Sequence, residues 1–121
     1  MTPGRGDRAA PPAPEGQWEV RFADAASAKG WLCLSQQAAE NTYRAWLTLR
    51  TDPAPMTETS RHHRLKGKLA HGTYRGRTCE QWQIEVTSGG RIWYLLDTPN
   101  ATCWITFAGT GHPRATDPPA R

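Results

Sequence analysis

Residues 61–91 read RHHRLKGKLAHGTYRGRTCEQWQIEVTSGGR. The second half of this stretch alternates, with Trp82, Ile84 and Val86 on one side and Gln81, Gln83, Glu85 and Thr87 on the other, the two-residue period of a half-buried strand. Ser88-Gly89-Gly90 makes a hairpin turn, because glycine takes positive φ without steric cost. Residues 91–97 return as a second strand, with Ile92, Tyr94 and Leu96 facing opposite to Arg91, Trp93 and Leu95. The first half predicts a strand as well. In HRLKGKL, residues 63–69, His63, Leu65, Gly67 and Leu69 face one way, while Arg64, Lys66 and Lys68 face the other. Residues 61–77 hold Arg61, Arg64, Lys66, Lys68, Arg75 and Arg77 with three histidines and no carboxylate, the electrostatic footprint of a site for a polyanion. A basic run is more often a solvated face than a binding site, so geometry must decide. Like charges set this close repel in water, and a fold gathers them where something anionic lies across them.

Working outward, Trp18, Val20 and Phe22 alternate with Glu19 and Arg21 as an earlier strand. Asp24 stands where an N-cap belongs, and Ala28, Trp31, Leu32 and Ser35 follow at helical spacing, weakened by Gly30. Ala39, Tyr43, Trp46 and Leu47 mark the apolar stripe of a second helix, which ends before Asp52-Pro53. Aromatics at that spacing are expected in the core. Residues 52–60, DPAPMTETS, form a loop, the turn around His71-Gly72 leads to a short piece at Tyr74, and residues 98–101 turn into a last strand, 102–108, burying Cys103, Ile105 and Phe107.

The order is strand, helical hairpin, then three or four strands. This predicts an α+β fold, a twisted and mostly antiparallel sheet with the hairpin on one face. The other face then carries Arg64, Lys66, Lys68, Gln81, Gln83, Glu85, Arg91, Trp93 and Trp104. Cations for phosphates beside indoles for bases suit a flexible nucleic-acid strand.

Composition bounds the rest. The 121 residues make one domain, 17–112, with a leader at 1–16 and a Pro-rich tail at 113–121. The leader, MTPGRGDRAAPPAPEG, has almost no large apolar side chain and is expected to be disordered. The three cysteines, Cys33, Cys79 and Cys103, are widely spaced and predict neither disulfides nor zinc, so the thiols are read as buried or inert. No apolar run has the length of a membrane span and the N-terminus lacks a signal-peptide core, which points to the cytoplasm. The net charge of +4 favours an acidic partner.

The ordered set W-x-V-x-F, helical hairpin, P-x-P loop, H-R-L-K-G-K-L, Tyr-x-Gly, E-Q-W-Q-I-E-V, G-G-R-I-W-Y-L-L-D and terminal G-H-P resembles the RelE/ParE superfamily of toxins from bacterial type II toxin–antitoxin systems, over residues 17–117. The resemblance implies a microbial-ribonuclease-like α+β sheet and a metal-independent endoribonuclease, with no cofactor, that cuts mRNA on the ribosome. It also implies a small antitoxin with an acidic segment that holds the toxin in a hetero-oligomer. Basic residues of RelE-like members match Lys66, Lys68 and Arg91, with His112 and Arg114 near the C-terminus; Arg61, Arg64, Arg75, Arg77 and Trp93 complete the expected RNA contacts. Cleavage by the RNA's own 2′-hydroxyl needs that hydroxyl deprotonated, the phosphorane stabilised and the leaving 5′-oxygen protonated. On a shared strand face Lys66 and Lys68 would each lower the other's pKa, bringing an amine closer to a base. Arg91 would clamp the phosphorane and His112 would supply the acid. Glu85 is an alternative base or a partner of Arg91. The sequence has His63 near the position of a Glu that some members carry, and it lacks their terminal tyrosine. Members that poison gyrase, or that only bind antitoxin, share the same pattern.

Overall fold

Strict alternation yields the strands β1 (Glu19–Phe22), β4 (Arg77–Glu85), β5 (Gly90–Asp97) and β6 (Thr102–Thr110), and β2 (His62–Arg64) and β3 (His71–Tyr74) join them. The helices are α1 (Ala25–Gln37) and α2 (Ala39–Thr51). The computed structural model of the chain describes residues 3–9 and 11–110. One sheet runs in the order β1-β6-β5-β4-β2, with β3 also pairing β4. All pairs are antiparallel except β1 with β6. The fold is α+β, as the element order predicts. No helix among the described residues is long and apolar enough to cross a membrane.

One sheet face packs on the hairpin: Val20, Phe22, Trp82, Ile84, Ile92, Tyr94, Cys103 and Ile105 meet Ala28, Trp31, Leu34, Ala45 and Leu49. Burying each large apolar side chain stabilises by about 1.5–3 kcal/mol. Asp24 caps α1, its carboxylate accepting from the Ser27 amide at 2.7 Å. Gly30, which weakens the helix as a local choice, lets α1 lie directly on β6: a Cβ there would stand 1.8 Å from the Ala108 carbonyl oxygen.

Four expectations need correction. The stripe of α2 is rotated: Thr42, Ala45 and Leu49 are buried, while Tyr43 is 57 % exposed and Leu47 39 %. Only Ala38 separates the helices, and small side chains at Thr42 and Ala45 permit their close approach, with Thr42 Oγ1 donating to the Leu34 carbonyl at 3.2 Å. Phe107 is half-buried and its place in the core goes to Ala108, because the register shifts near Trp93/Tyr94 and pairs Trp93 with Phe107 but Tyr94 with Ile105. Of the thiols, Cys79 and Cys103 are buried and Cys33 is exposed.

The fourth correction is the leader. It lies along β1, with Gly6 N donating to Phe22 O at 2.8 Å, Phe22 N to Asp7 O at 3.0 Å and Ala9 N to Val20 O at 2.8 Å. Backbone bonding, which needs no apolar side chain, replaces the missing core contacts. Side chains fasten it further. Arg21 donates to Gly6 O at 2.9 Å, and Arg8 pairs with Glu19 at 2.7 Å. Burial alone would raise the Glu19 carboxyl, but the Ala13 amide and the Arg8 and Arg21 guanidiniums outweigh it and hold the pKa below its ordinary value. Arg50, 6 % exposed, stacks over Trp46 at 4.6 Å and donates to the carbonyls of Pro11 and Pro12 at 3.0 and 3.3 Å.

The loop before β2 is tied to the core through His62. Tyr94 Oη donates to Pro53 O at 2.6 Å and so accepts from His62 Nε2, also at 2.6 Å. Burial pushes the His62 pKa down, against the opposing pull of the Pro53 carbonyl and Asp52. In the pH range below the ordinary value of 6.5 the unfolded chain therefore binds more protons than the folded one, so stability present above that pH is lost as pH falls toward the folded pKa. Urea midpoints measured from pH 8 to pH 5 are expected to fall on the acid side, and His62→Gln should flatten that fall. An undiminished slope in the variant would assign the effect to other groups.

Candidate nucleic-acid interface

Cross-strand partners share a face, so the registers define rows on the side of the sheet away from the helices. One row is His63, Gln83, Trp93 and Phe107. The next, one pleat away at about 7 Å, pairs Glu85 with Arg91, and the Glu85 amide bonds Arg61 O at 2.7 Å. In the other direction come Gln81, Leu95, Trp104 and Arg21. The row at the far end holds Tyr74 opposite Arg77.

The basic block does not form the single cationic strand face that its alternation predicts. β2 stops at Arg64, and residues 66–69 leave the edge as a 3-10 turn with Gly67 at φ 62. Leu65 N donates to Gln81 O and Gln81 N to Ala70 O, both at 2.9 Å, so a single residue of β4 brackets the excursion. Gln81 Nε2 donates to Leu69 O at 2.9 Å, and Thr106 Oγ1 donates to Gln81 Oε1 at 3.1 Å, which fixes the excursion to the sheet. Lys66 and Lys68 are exposed on it. The shared strand face required for an amine base by mutual repulsion is absent.

Arg64 lies in register with Trp82, on the helix side. Its guanidinium meets Glu80 at 3.6 Å and donates to His71 Nε2 at 2.8 Å, so it clamps the ends of the excursion and does not face an RNA strand across the sheet. Arg61 is exposed beside Glu85 at 3.7 Å. Arg77 meets Asp97 at 3.8 Å, and Arg75 is exposed at the tip of the β3–β4 turn. Trp93, expected as a platform for bases, is 3 % exposed, because Phe107 packs edge-on against it and the sheet curls over this face. The curl shows at Gly72, where a Cβ would stand 2.7 Å from Leu95 Cδ2 two strands away. His112 and Arg114 lie outside the described residues.

Trp93 instead orders the row it belongs to. Its indole N–H, a donor only, reaches Gln83 Oε1 at 2.7 Å, so the Gln83 amide nitrogen points to His63 Nε2 at 3.4 Å. Nε2 is then the acceptor, and the ring proton sits on Nδ1, which donates to Arg64 O at 3.1 Å. The chain of bonds selects the tautomer and holds the basic nitrogen of His63 on the face away from the helices, where its lone pair is occupied by a long contact to the Gln83 amide. Beside His63 lies a groove of about 550 Å³, with Glu58 and Lys66 on its walls. One row over, Arg91 is half-buried, and its buried Nε, like those of Arg50 and Arg64, has no hydrogen-bond partner among the described residues.

His63 is the functional candidate that the sequence reading passes over. Its alternation with Leu65 places it opposite the cations only while residues 63–69 are read as one strand; its register with Gln83 and Trp93 is the signal that places it on the open face. Among the described residues, no group of three or more His, Cys, Asp or Glu side chains is gathered to hold a metal ion. No family model, curated protein or solved structure matches the chain.

Proposed function

We propose that the open face binds single-stranded RNA and cleaves it, and that the protein is the RelE-like toxin of a toxin–antitoxin pair, acting on mRNA at cytoplasmic ribosomes. The observation that carries the reading is the adjacency of two rows on the face away from the helices, one holding His63 beside the groove walled by Lys66 and the other holding Arg91. His63 and Arg91 stand two strands and one pleat apart, about 12 Å between backbones, a span that the long arginine side chain and the imidazole can close on a single phosphodiester. The 2′-hydroxyl displaces the long Gln83 contact, His63 Nε2 takes its proton, the 2′-oxygen attacks phosphorus, and Arg91 donates to the phosphorane oxygens. The bond from phosphorus to the 5′-oxygen then breaks, and Lys66, Lys68 or His112 supplies the proton that oxygen takes. The products are a 2′,3′-cyclic phosphate and a 5′-hydroxyl. Exposed Lys66, Lys68 and Arg61 beside this site are the surface that an acidic antitoxin segment would cover.

Incubating the full chain with translating ribosomes and mapping mRNA ends tests the proposal. New 5′-hydroxyl ends within the reading frame are the expected result. Intact mRNA, with DNA synthesis stopping before protein synthesis in cells that express the chain, would replace it with gyrase inhibition.

A further inference from the structure

Arginines that the cleavage chemistry leaves unused converge at the far end of the open face. Tyr74 and Trp104 stack there with ring centroids 4.4 Å apart. The Arg75 guanidinium lies 5.3 Å from the Tyr74 ring and 5.8 Å from the Trp104 ring, and Arg5, carried in by the leader, lies 5.8 Å from the Tyr74 ring. The backbone is shaped to deliver both. Arg75 and Gly76 take φ 52 and 79, the two left-handed residues of a tight hairpin turn, although Arg75 is not glycine. Gly6, at φ 84, lies beside the Arg75 guanidinium, with a Cβ placed there in ordinary contact with Nη2 at 3.8 Å. Arg77, across the turn, is neutralised in part by buried Asp97 at 3.8 Å. Arg5 and Arg75 are exposed, and neither has an ion pair among the described residues.

Two uncompensated guanidiniums held on one aromatic pair have their ring contacts satisfied and their N–H donors free, the arrangement that receives a phosphate. Along β4 the distance from the His63–Gln83 row to Arg77 is about 20 Å, at some 3.3 Å per residue. That is the reach of several nucleotides of an extended strand, and the excursion carrying Lys66 and Lys68 lies between the two ends. We infer that Arg5 and Arg75, seated on Tyr74 and Trp104, anchor a backbone phosphate of the RNA several nucleotides from the one that is cut, with Lys66 and Lys68 lining the path between. This assignment rests on the RNA-cleaving reading of the open face. It makes the site selective for strand length, and it gives the leader a part in substrate binding.

The test uses the full chain and uncleavable single-stranded 2′-O-methyl oligonucleotides of three and ten nucleotides, titrated at several salt concentrations. Asparagine tolerates the left-handed backbone, so Arg75→Asn is combined with Arg5→Gln, and equal thermal melts establish that the fold is kept. The double variant should bind the ten-mer about tenfold more weakly, and the slope of log affinity against log salt should shrink by about 0.7, the value for one lost phosphate contact on a single strand. The three-mer should bind as before. Arg5→Lys with Arg75→Lys should keep the parental slope. Equal loss for both lengths, or no loss for either, overturns the anchor while leaving the cleavage site standing. A poly-glutamate peptide that outcompetes the ten-mer through the same two arginines overturns it in favour of an acidic protein partner. If the parent binds neither oligonucleotide at low salt, the RNA reading of the whole face falls, and the anchor falls with it.

Discussion

Arg91→Ala is expected to lower the rate of RNA cleavage about 10²–10³-fold, the scale of losing one preorganised donor to a transition state, while RNA affinity stays near the parental value. A guanidinium that meets the phosphorane more tightly than the resting phosphodiester acts on turnover and little on binding. Arg91 is half-buried on the same sheet face as His63, so part of its desolvation is already met in the folded protein. Arg91→Lys should restore only part of the rate, because an ammonium cannot reproduce a planar two-point contact. Arg91 stands opposite Glu85 and beside the turn at Gly90, so single-turnover kinetics are read only after the thermal melt is shown to be unchanged. A folded Arg91→Ala protein that cuts as fast as the parent would remove the clamp and leave the reaction to His63, the lysines and His112.

Gly30→Ala should destabilise the fold by about 3 kcal/mol, at the upper end of overpacking costs. In an exposed helix the same change stabilises by roughly 1 kcal/mol. The sign reverses here because the new methyl would stand 1.8 Å from the Ala108 carbonyl oxygen and 2.9 Å from its carbon, and backbone cannot swing aside as a side chain can. Either α1 lifts from β6 or the strand bends, and both open the core around Trp31 and Leu34. For a chain of this length the melting temperature should drop by about 10 °C. A melt at or above the parental temperature would show that α1 and β6 are not in such close contact.

The elements whose pattern is local were legible in the sequence. Alternation at Trp18 to Phe22, Gln81 to Thr87 and Arg91 to Asp97, the glycine turn and the Asp24 cap all point to the α+β sheet, and each depends on near neighbours. The basic block was misjudged because Gly67 and its flanking lysines fit a two-residue period equally well as a strand and as an excursion at positive φ. Composition could not reveal the leader's path, since backbone groups bind it to β1 whatever the side chains are. Trp93 looked exposed by parity, and parity does hold; what buries it is the curl of the sheet and Phe107, two facts of tertiary packing. Arg91 lies on the face that its alternation predicts, whereas Arg64 on the helix side and His63 beside Gln83 follow from a register that only the paired strands define.

The parallel pairing of β1 with β6 sets when the sheet can be completed. Glu19 to Phe22 lie beside Thr102 to Ile105, the partners most distant in sequence anywhere in the sheet. During synthesis β1 leaves the ribosome early with the leader on one edge, but its other edge has no neighbour until the last strand has been translated, and closing so long a loop is slow even then. The helical hairpin can form beforehand, but the face it must cover is incomplete without β6, which also supplies the Ala108 ridge under Gly30. A nascent chain therefore carries His63 and Arg91 on a sheet that lacks its last strand, and, if the face cleaves RNA as proposed, a fold able to cut the message being read is completed only once its own message has been read through residue 108.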